Sequence, residues 1–209
     1  MSRPESLKAL TSARAGERIA LPPPKTEGAV SVEQAIAGRR SVRDFAADPL
    51  DLGTVSQLLW SAQGITSPEG QRAAPSAGAR YPLELYLTCA EGLFQYDPKA
   101  HAITKVQSGD LRGPLADAAY GQLFVAEAPI CLIFSAVYQR SMSRYGDRGI
   151  RYAHIDLGHA AENVHLQAEA LGLASVPVGA FKDESVARVL ELPANQKPLY
   201  LIPVGRPRG

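Results

Sequence analysis

The stretch YGDRGIRYAHIDLGHAAENVHLQAEALGLASVPVGAF, Tyr145 to Phe181, decides how this chain is read. From Arg151 to Leu171 it is rich in Ala, Leu, Glu and His and then meets Gly172, a pattern that predicts one helix of about six turns. Ala160, Ala161, Val164 and Ala168 give that helix a face able to pack closely. Immediately after it, Ala174 to Val178 predicts a strand. Pro177, Val178 and Gly179 end that strand, and at Gly179 the missing Cβ permits contact with the face or edge of a ring.

Working outward, Ile130 to Val137 is a continuous apolar run that predicts a central strand buried on both faces. Leu83, Leu85 and Leu87 alternate with Glu84, Tyr86 and Thr88, as a half-buried strand does. A hairpin is expected from Phe94 and Tyr96 to Ile103 and Val106. Leu52, Val55, Leu58, Leu59 and Ala62 share one helical face, with Gly64 as a stop. Ser31 and Gln34 form a possible capping box for a short helix that runs toward Gly38. A helix at Glu184 to Leu190 and a strand at Leu199 to Val204 complete a mixed order whose class is α+β with a central sheet. Residues 1–30, with Pro4 and Pro22 to Pro24, lack sustained periodicity and read as an arm, leaving 31–209 as the folded domain.

Composition narrows the function. The 209 residues are 45% hydrophobic and 21% charged, with a formal net charge of +1, which speaks against a nucleic-acid binder. No apolar run approaches the roughly 18 residues of a membrane span and the first residues lack a signal-peptide core, so a soluble cytoplasmic protein is expected. Cys89 and Cys131 lie in apolar runs and read as buried thiols. Sixteen of the 22 basic residues are arginine, a bias toward planar recognition of phosphate or carboxylate.

Several of those arginines stand in suggestive places. Arg39, Arg40, Ser41 and Arg43 set three guanidinium groups and a hydroxyl within five residues, suited to clamp a phosphate and a polar ring or equally to form a solvated charge run. Pro75, Ser76, Ala77 and Gly78 make a loop of small residues between Arg72 and Arg80, where backbone can approach a flat ligand or simply turn. Arg206 follows a strand end. No Gly-rich dinucleotide or nucleoside-triphosphate fingerprint occurs, so a phosphate-bearing cofactor would have to be held by arginines. His154, His159 and His165 are spaced five and six apart, which scatters them around a helix; His154 and His165 share a face but lie roughly 16 Å apart, too far for one metal. No metal site is expected, and no G-x-S-x-G elbow supports a hydrolase.

RRSVRDF at Arg39 to Phe45, PSAGARYPLELY at Pro75 to Tyr86 and the Tyr145–Phe181 block resemble the nitroreductase-like flavoproteins, specifically the SagB-type dehydrogenase branch. The resemblance covers about Ser31 to Arg206. It implies a nitroreductase-like fold, a mostly antiparallel sheet flanked by helices, in a domain-intertwined homodimer with FMN at the subunit interface. By the same resemblance Arg39 and Arg206 would hold the FMN phosphate, while Ser41 and Arg43 would reach the ribityl chain and the pyrimidine side, with Arg40 beside them. Pro75, Ser76, Ala77 and Gly78 would come from the partner subunit, and Pro177, Val178 and Gly179 would lie near flavin N5. It implies an FMN-dependent oxidoreductase that passes hydride to or from a small-molecule or peptide substrate, with NAD(P)H as one candidate reductant. The alternative is a non-catalytic flavin-binding or scaffold protein of a biosynthetic complex. Azoline-oxidising members of the branch carry a Lys-Tyr pair where this sequence has Arg144 and Tyr145. Arginine cannot act as a general base, which leaves Tyr145 as the candidate proton donor or acceptor.

Overall fold

Ile130–Ala136 is buried at every position and forms the central strand β5 of a seven-stranded sheet. The computed structural model describes residues 10–208. Its strands are β1 (Arg18–Ala20), β2 (Leu83–Cys89), β3 (Gly92–Asp97), β4 (Ala102–Ser108), β5, β6 (Ala174–Ser175) and β7 (Lys197–Gly205), in the order β1-β4-β3-β2-β5-β7-β6. All the strand pairs are antiparallel. The helices are α1 (Val32–Gly38), α2 (Leu52–Gln63), α3 (Arg112–Ala118), α4 (Phe124–Glu127), α5 (Gln139–Tyr145), α6 (Arg148–Ala170) and α7 (Asp183–Val189). The class is α+β, as the residue pattern indicated.

Side-chain alternation along the central strands sends apolar groups to both faces, and each face is covered. On one side Leu85, Leu87, Phe94, Leu132 and Phe134 pack with Leu58 and Leu59 of α2 and with Ala160 and Val164 of α6. On the other, Tyr86, Leu93, Cys131 and Ile133 pack with Leu115 of α3 and Val186 of α7. β2 is therefore not half-buried: Tyr86 and Thr88, expected to face solvent, are buried beneath the second helical layer. Thr88 and Cys131 are cross-strand partners, so Cys89 and Cys131 point to opposite faces. Both are free thiols that burial pushes up to about 12.

Local chemistry explains most boundaries. Ser31 and Gln34 close the capping box of α1 reciprocally, and Asp51 accepts from the Thr54 backbone at the start of α2. α6 begins three residues earlier than expected and ends in a Schellman arrangement: Leu173 N–H donates to Ala168 O at 2.8 Å and Gly172 N–H to Glu169 O at 2.9 Å, with Gly172 at φ +67°. β6 is shorter than expected, although Val178 still bridges to Leu201 of β7. Within 1–30, Arg18–Ala20 adds the edge strand β1 beside β4. Among the described residues no helix is long and apolar enough to cross a membrane.

Two glycines of α6 should respond oppositely to alanine. A Cβ at Gly149 would lie 2.6 Å from the Met142 backbone nitrogen, whereas one at Gly158 would meet nothing within 4 Å. Gly149→Ala should destabilise the fold by about 1–3 kcal/mol because backbone must move. Gly158→Ala should stabilise it by roughly 0.5–1 kcal/mol through helix propensity alone. Urea unfolding of both variants checks the pair, and changes of the same sign would contradict this packing of the α5–α6 corner.

Candidate functional site

The arginine cluster starts where α1 stops. A Cβ at Gly38 would lie 2.3 Å from a Glu169 carboxylate oxygen on α6, so any larger residue there would have to push that flexible side chain aside. Beyond it Ser41 forms a parallel bridge to Ser175, and the Val42 amide donates to Ser175 O at 3.1 Å. Phe45 is fully buried with Ala128, Ala174 and Val176. Its neighbours clasp the end of β7: Ala46 N–H donates to Arg206 O at 2.9 Å and Arg208 N–H to Asp44 O at 3.2 Å. These contacts bring Arg39, Ser41, Arg43 and Arg206, which stand up to 167 residues apart in sequence, to one edge of the sheet.

The side chains along this edge leave positive charge largely uncompensated. Arg39 faces Glu162 of α6 at 3.5 Å, and Arg43 lies over the Phe124 ring at 5.7 Å. Among the described residues no carboxylate pairs with Arg43 or Arg206. Arg40 is different, for its guanidinium donates to Ala37 O and Arg39 O and so caps the end of α1. Beneath the loop His165 is only 4% exposed; its Nδ1 meets Ser175 Oγ at 2.8 Å while Nε2 has no partner. Burial and then the Arg39 charge lower its pKa to about 4, so the ring is neutral near pH 7. Val178 is held by two backbone bonds to Leu201, with Pro177 before it, and the Tyr200 ring lies 3.5 Å from where a Gly179 Cβ would be.

The Pro75–Ala79 loop is built on α6. Ser76 Oγ donates to Asp156 Oδ2 at 2.6 Å and accepts from Tyr81 N–H at 2.9 Å, and Ala77 N–H donates to Asp156 Oδ1 at 3.3 Å. Desolvation raises the Asp156 carboxyl above its ordinary range, against the opposing effect of those bonds. Gly78 has φ +58°, and a Cβ there would come within 2.5 Å of the Tyr145 hydroxyl. Ala79 and Tyr81 also take positive φ, at 53° and 46°. Left-handed backbone at non-glycine residues is costly and clusters at ligand sites. Tyr145 itself packs edge-on against Tyr152 of α6, ring centres 5.0 Å apart, with the Arg144 guanidinium 5.5 Å from its ring centre.

Within one chain the two clusters are fastened to different faces of α6. Their attachment points on α6, Asp156 and Glu162, are six residues and about 9 Å apart along the axis, and about 120° apart around it. Sequence reading passed over Asp156, Glu162 and His165 as site residues. Asp156 had a usable signal, since an acid flanked at helical spacing by Ala153 and Ala160 lies on a buried face. His154 is occupied by Tyr138, whose hydroxyl lies 2.6 Å from Nε2. Among the described residues no group of three His, Cys, Asp or Glu side chains is placed to hold a metal.

The donor set suits a phosphate-bearing planar cofactor: Arg43 and Arg206 with no carboxylate partner among the described residues, Arg39 with Glu162 alone, the Ser41 hydroxyl, an orphaned buried nitrogen on His165, and open ground above Gly158 on α6. The family model described as the nitroreductase family matches residues 36–206. The chain is 43% identical over 183 residues to the nitroreductase-like protein MJ1384 of Methanocaldococcus jannaschii, covering 85% of this chain and 91% of that one. It is 24% identical to the microcin B17-processing protein McbC of Escherichia coli over 68% of this chain and 57% of McbC. It is also 22% identical to the FMN reductase [NAD(P)H] of Bacillus subtilis over 84% and 66%. Among solved structures, a nitroreductase-like protein of Ralstonia eutropha superposes with a TM-score of 0.84 at 30% identity, covering 92% of this chain and 90% of that one.

The His165 environment gives a pH signature. Its folded pKa, about 4, lies below the ordinary 6.5, so protonation is resisted only in the folded state. The associated stability is complete above about pH 6.5 and is lost as pH falls toward 4. Between pH 7 and 4.5 the native chain should lose about 2 kcal/mol more than His165→Gln, measured by urea unfolding. Parallel pH profiles would contradict the buried neutral ring.

Proposed function

Because this chain belongs to the nitroreductase family, a family of oxidoreductases, we propose that it is an FMN-dependent oxidoreductase of the SagB-type branch that passes hydride to or from a small-molecule or peptide substrate. The observation that carries the reading is the convergence of Arg39, Ser41, Arg43 and Arg206 on one sheet edge with little carboxylate to neutralise them. FMN, when bound, supplies the centre that accepts and donates hydride. The chain's own residues bind and orient it. Arg39 and Arg206 hold the phosphate, Ser41 and Arg43 reach the ribityl chain and the pyrimidine edge, and Pro177, Val178 and Gly179 offer backbone to the ring. Tyr145 is the candidate to give or take a proton at the substrate, since Arg144 cannot act as a base.

Pro75, Ser76, Ala77 and Gly78 are exposed or half-buried and are fastened to another face of α6 than Arg39, which supports their role in completing the site of a partner copy in a homodimer. The name of the Bacillus subtilis relative supports FMN with NAD(P)H as reductant. That of McbC supports a peptide substrate.

Mass spectrometry of the released cofactor should find FMN, and Arg39→Ala should weaken FMN binding roughly ten- to a hundred-fold through loss of a charge-assisted phosphate contact. Arg40→Ala should have a much smaller effect, because its guanidinium is spent on the α1 carbonyls. FAD as occupant, or equal losses in the two variants, would overturn the assignment.

If the Pro75–Gly78 loop serves the partner, cofactor binding and dimerisation are linked. Apo-protein should dissociate at higher concentration than FMN-loaded protein in sedimentation across a dilution series, and Ser76→Tyr should weaken FMN binding. Indistinguishable dimer dissociation constants would mean a self-contained pocket.

A further inference from the structure

The opposite end of the sheet carries a concavity. β7 runs nine residues to Gly205, and the register Leu83↔Ala136 and Ala136↔Lys197 puts the start of β2 at the far end from Arg206. Eight strand steps separate the two ends, about 27 Å along β7. There a cavity of about 570 Å³ is lined by Arg72, Arg80, Tyr81, Glu84, Lys99 and Arg140, among others.

Its charges do not cancel. Glu84 is paired with Arg140, and Asp97, also on the wall, pairs with Arg18 at 2.8 Å. That leaves Arg72, Arg80 and Lys99 with no carboxylate partner among the described residues. Arg72 is half-buried and fixed in place. Its Nη1 donates to Gln63 Oε1 at 2.7 Å and its guanidinium lies 4.4 Å from the centre of the Tyr81 ring. The ring in turn is anchored: Tyr81 N–H reaches Ser76 Oγ, its hydroxyl accepts from Arg72 N–H, and its carbonyl accepts from Arg140. Stacking and one bond leave the remaining N–H groups of Arg72 unspent at the cavity. Glu84 is near enough to act on this half-buried cation but is already paired with Arg140, and desolvation depresses the proton affinity of Arg72, so a further counter-charge would stabilise it. An oxyanion would, because a planar guanidinium fork matches carboxylate and phosphate oxygens alike.

We propose that this cavity binds a small organic anion through a carboxylate or phosphate group, with Arg72 as its principal contact and Arg80 and Lys99 supplying further charge. The site is separate from the arginine edge of its own chain and does not rest on the flavin reading.

The test is calorimetric titration of FMN-saturated protein, whose cofactor phosphate position is filled, with inorganic phosphate in one arm and succinate in the other. Saturable binding of at least one anion, one site per chain, is expected. Arg72→Gln should weaken it roughly ten-fold or more, Arg72→Lys should weaken it despite the retained charge, and Lys99→Gln, at an exposed position, should weaken it about three-fold. The arm that binds more tightly identifies phosphate or carboxylate as the ligand group. No saturable heat with either anion overturns the proposal, as does an affinity unchanged in both Arg72→Gln and Lys99→Gln. If the protein binds no FMN, the same titration is run on the isolated chain beside Arg39→Ala. Anion binding lost in Arg39→Ala but kept in Arg72→Gln would place the anion at the arginine edge and refute the cavity site.

Discussion

Three parts of the candidate site are fastened to α6 by polar contacts from that helix's own side chains. Asp156 holds the Pro75–Ala79 loop, Glu162 faces Arg39, and His165 holds Ser175, to which Ser41 is bridged. Asn163 donates to Ser61 O and Ala73 O, fastening α2 and the start of the loop as well. A helix can serve so many partners because Ala153, Ala160, Val164 and Ala168 seat it on the sheet and leave its other faces free for polar contacts. Burial of the small-residue face fixes the rotation of α6. That rotation then decides which polar residue meets which loop.

Polar contacts from a packed helix are expensive to build, and the structure shows where the cost falls. Asp156 is buried and accepts from two donors of the loop, and burial of His165 disfavours its protonated form. Ala79 and Tyr81 sit in left-handed backbone so that the loop can turn around Gly78. None of this benefits a helix-on-sheet core in itself. It produces a rigid loop and a row of cations, which are useful only in the presence of a ligand.

The same electrostatic logic operates at both ends of the sheet with different neighbours. At the arginine edge the charges are exposed or half-buried. At the far end the guanidinium of Arg72 is stacked on a ring and sunk into a cavity. Exposed cations are solvated cheaply, whereas a stacked, half-buried one is already oriented for a planar partner.

The residues alone carried much of the fold. The unbroken run Ile130–Val137, the Ser31–Gln34 box and the Gly172 stop each depend on local periodicity or capping, and each is in place. Local reading erred at β2, where Tyr86 and Thr88 look outward by alternation, because the covering helices α3 and α7 are distant in sequence. The arginine cluster was legible as a cluster, but its convergence with Arg206 required the antiparallel return of β7 past β5. Asp156 under Ser76 and Arg72 over Tyr81 were settled only by tertiary structure. Chain neighbours state a residue's chemistry and its place along an element; which distant group it faces follows from how the packed core sets each helix and strand in rotation and register.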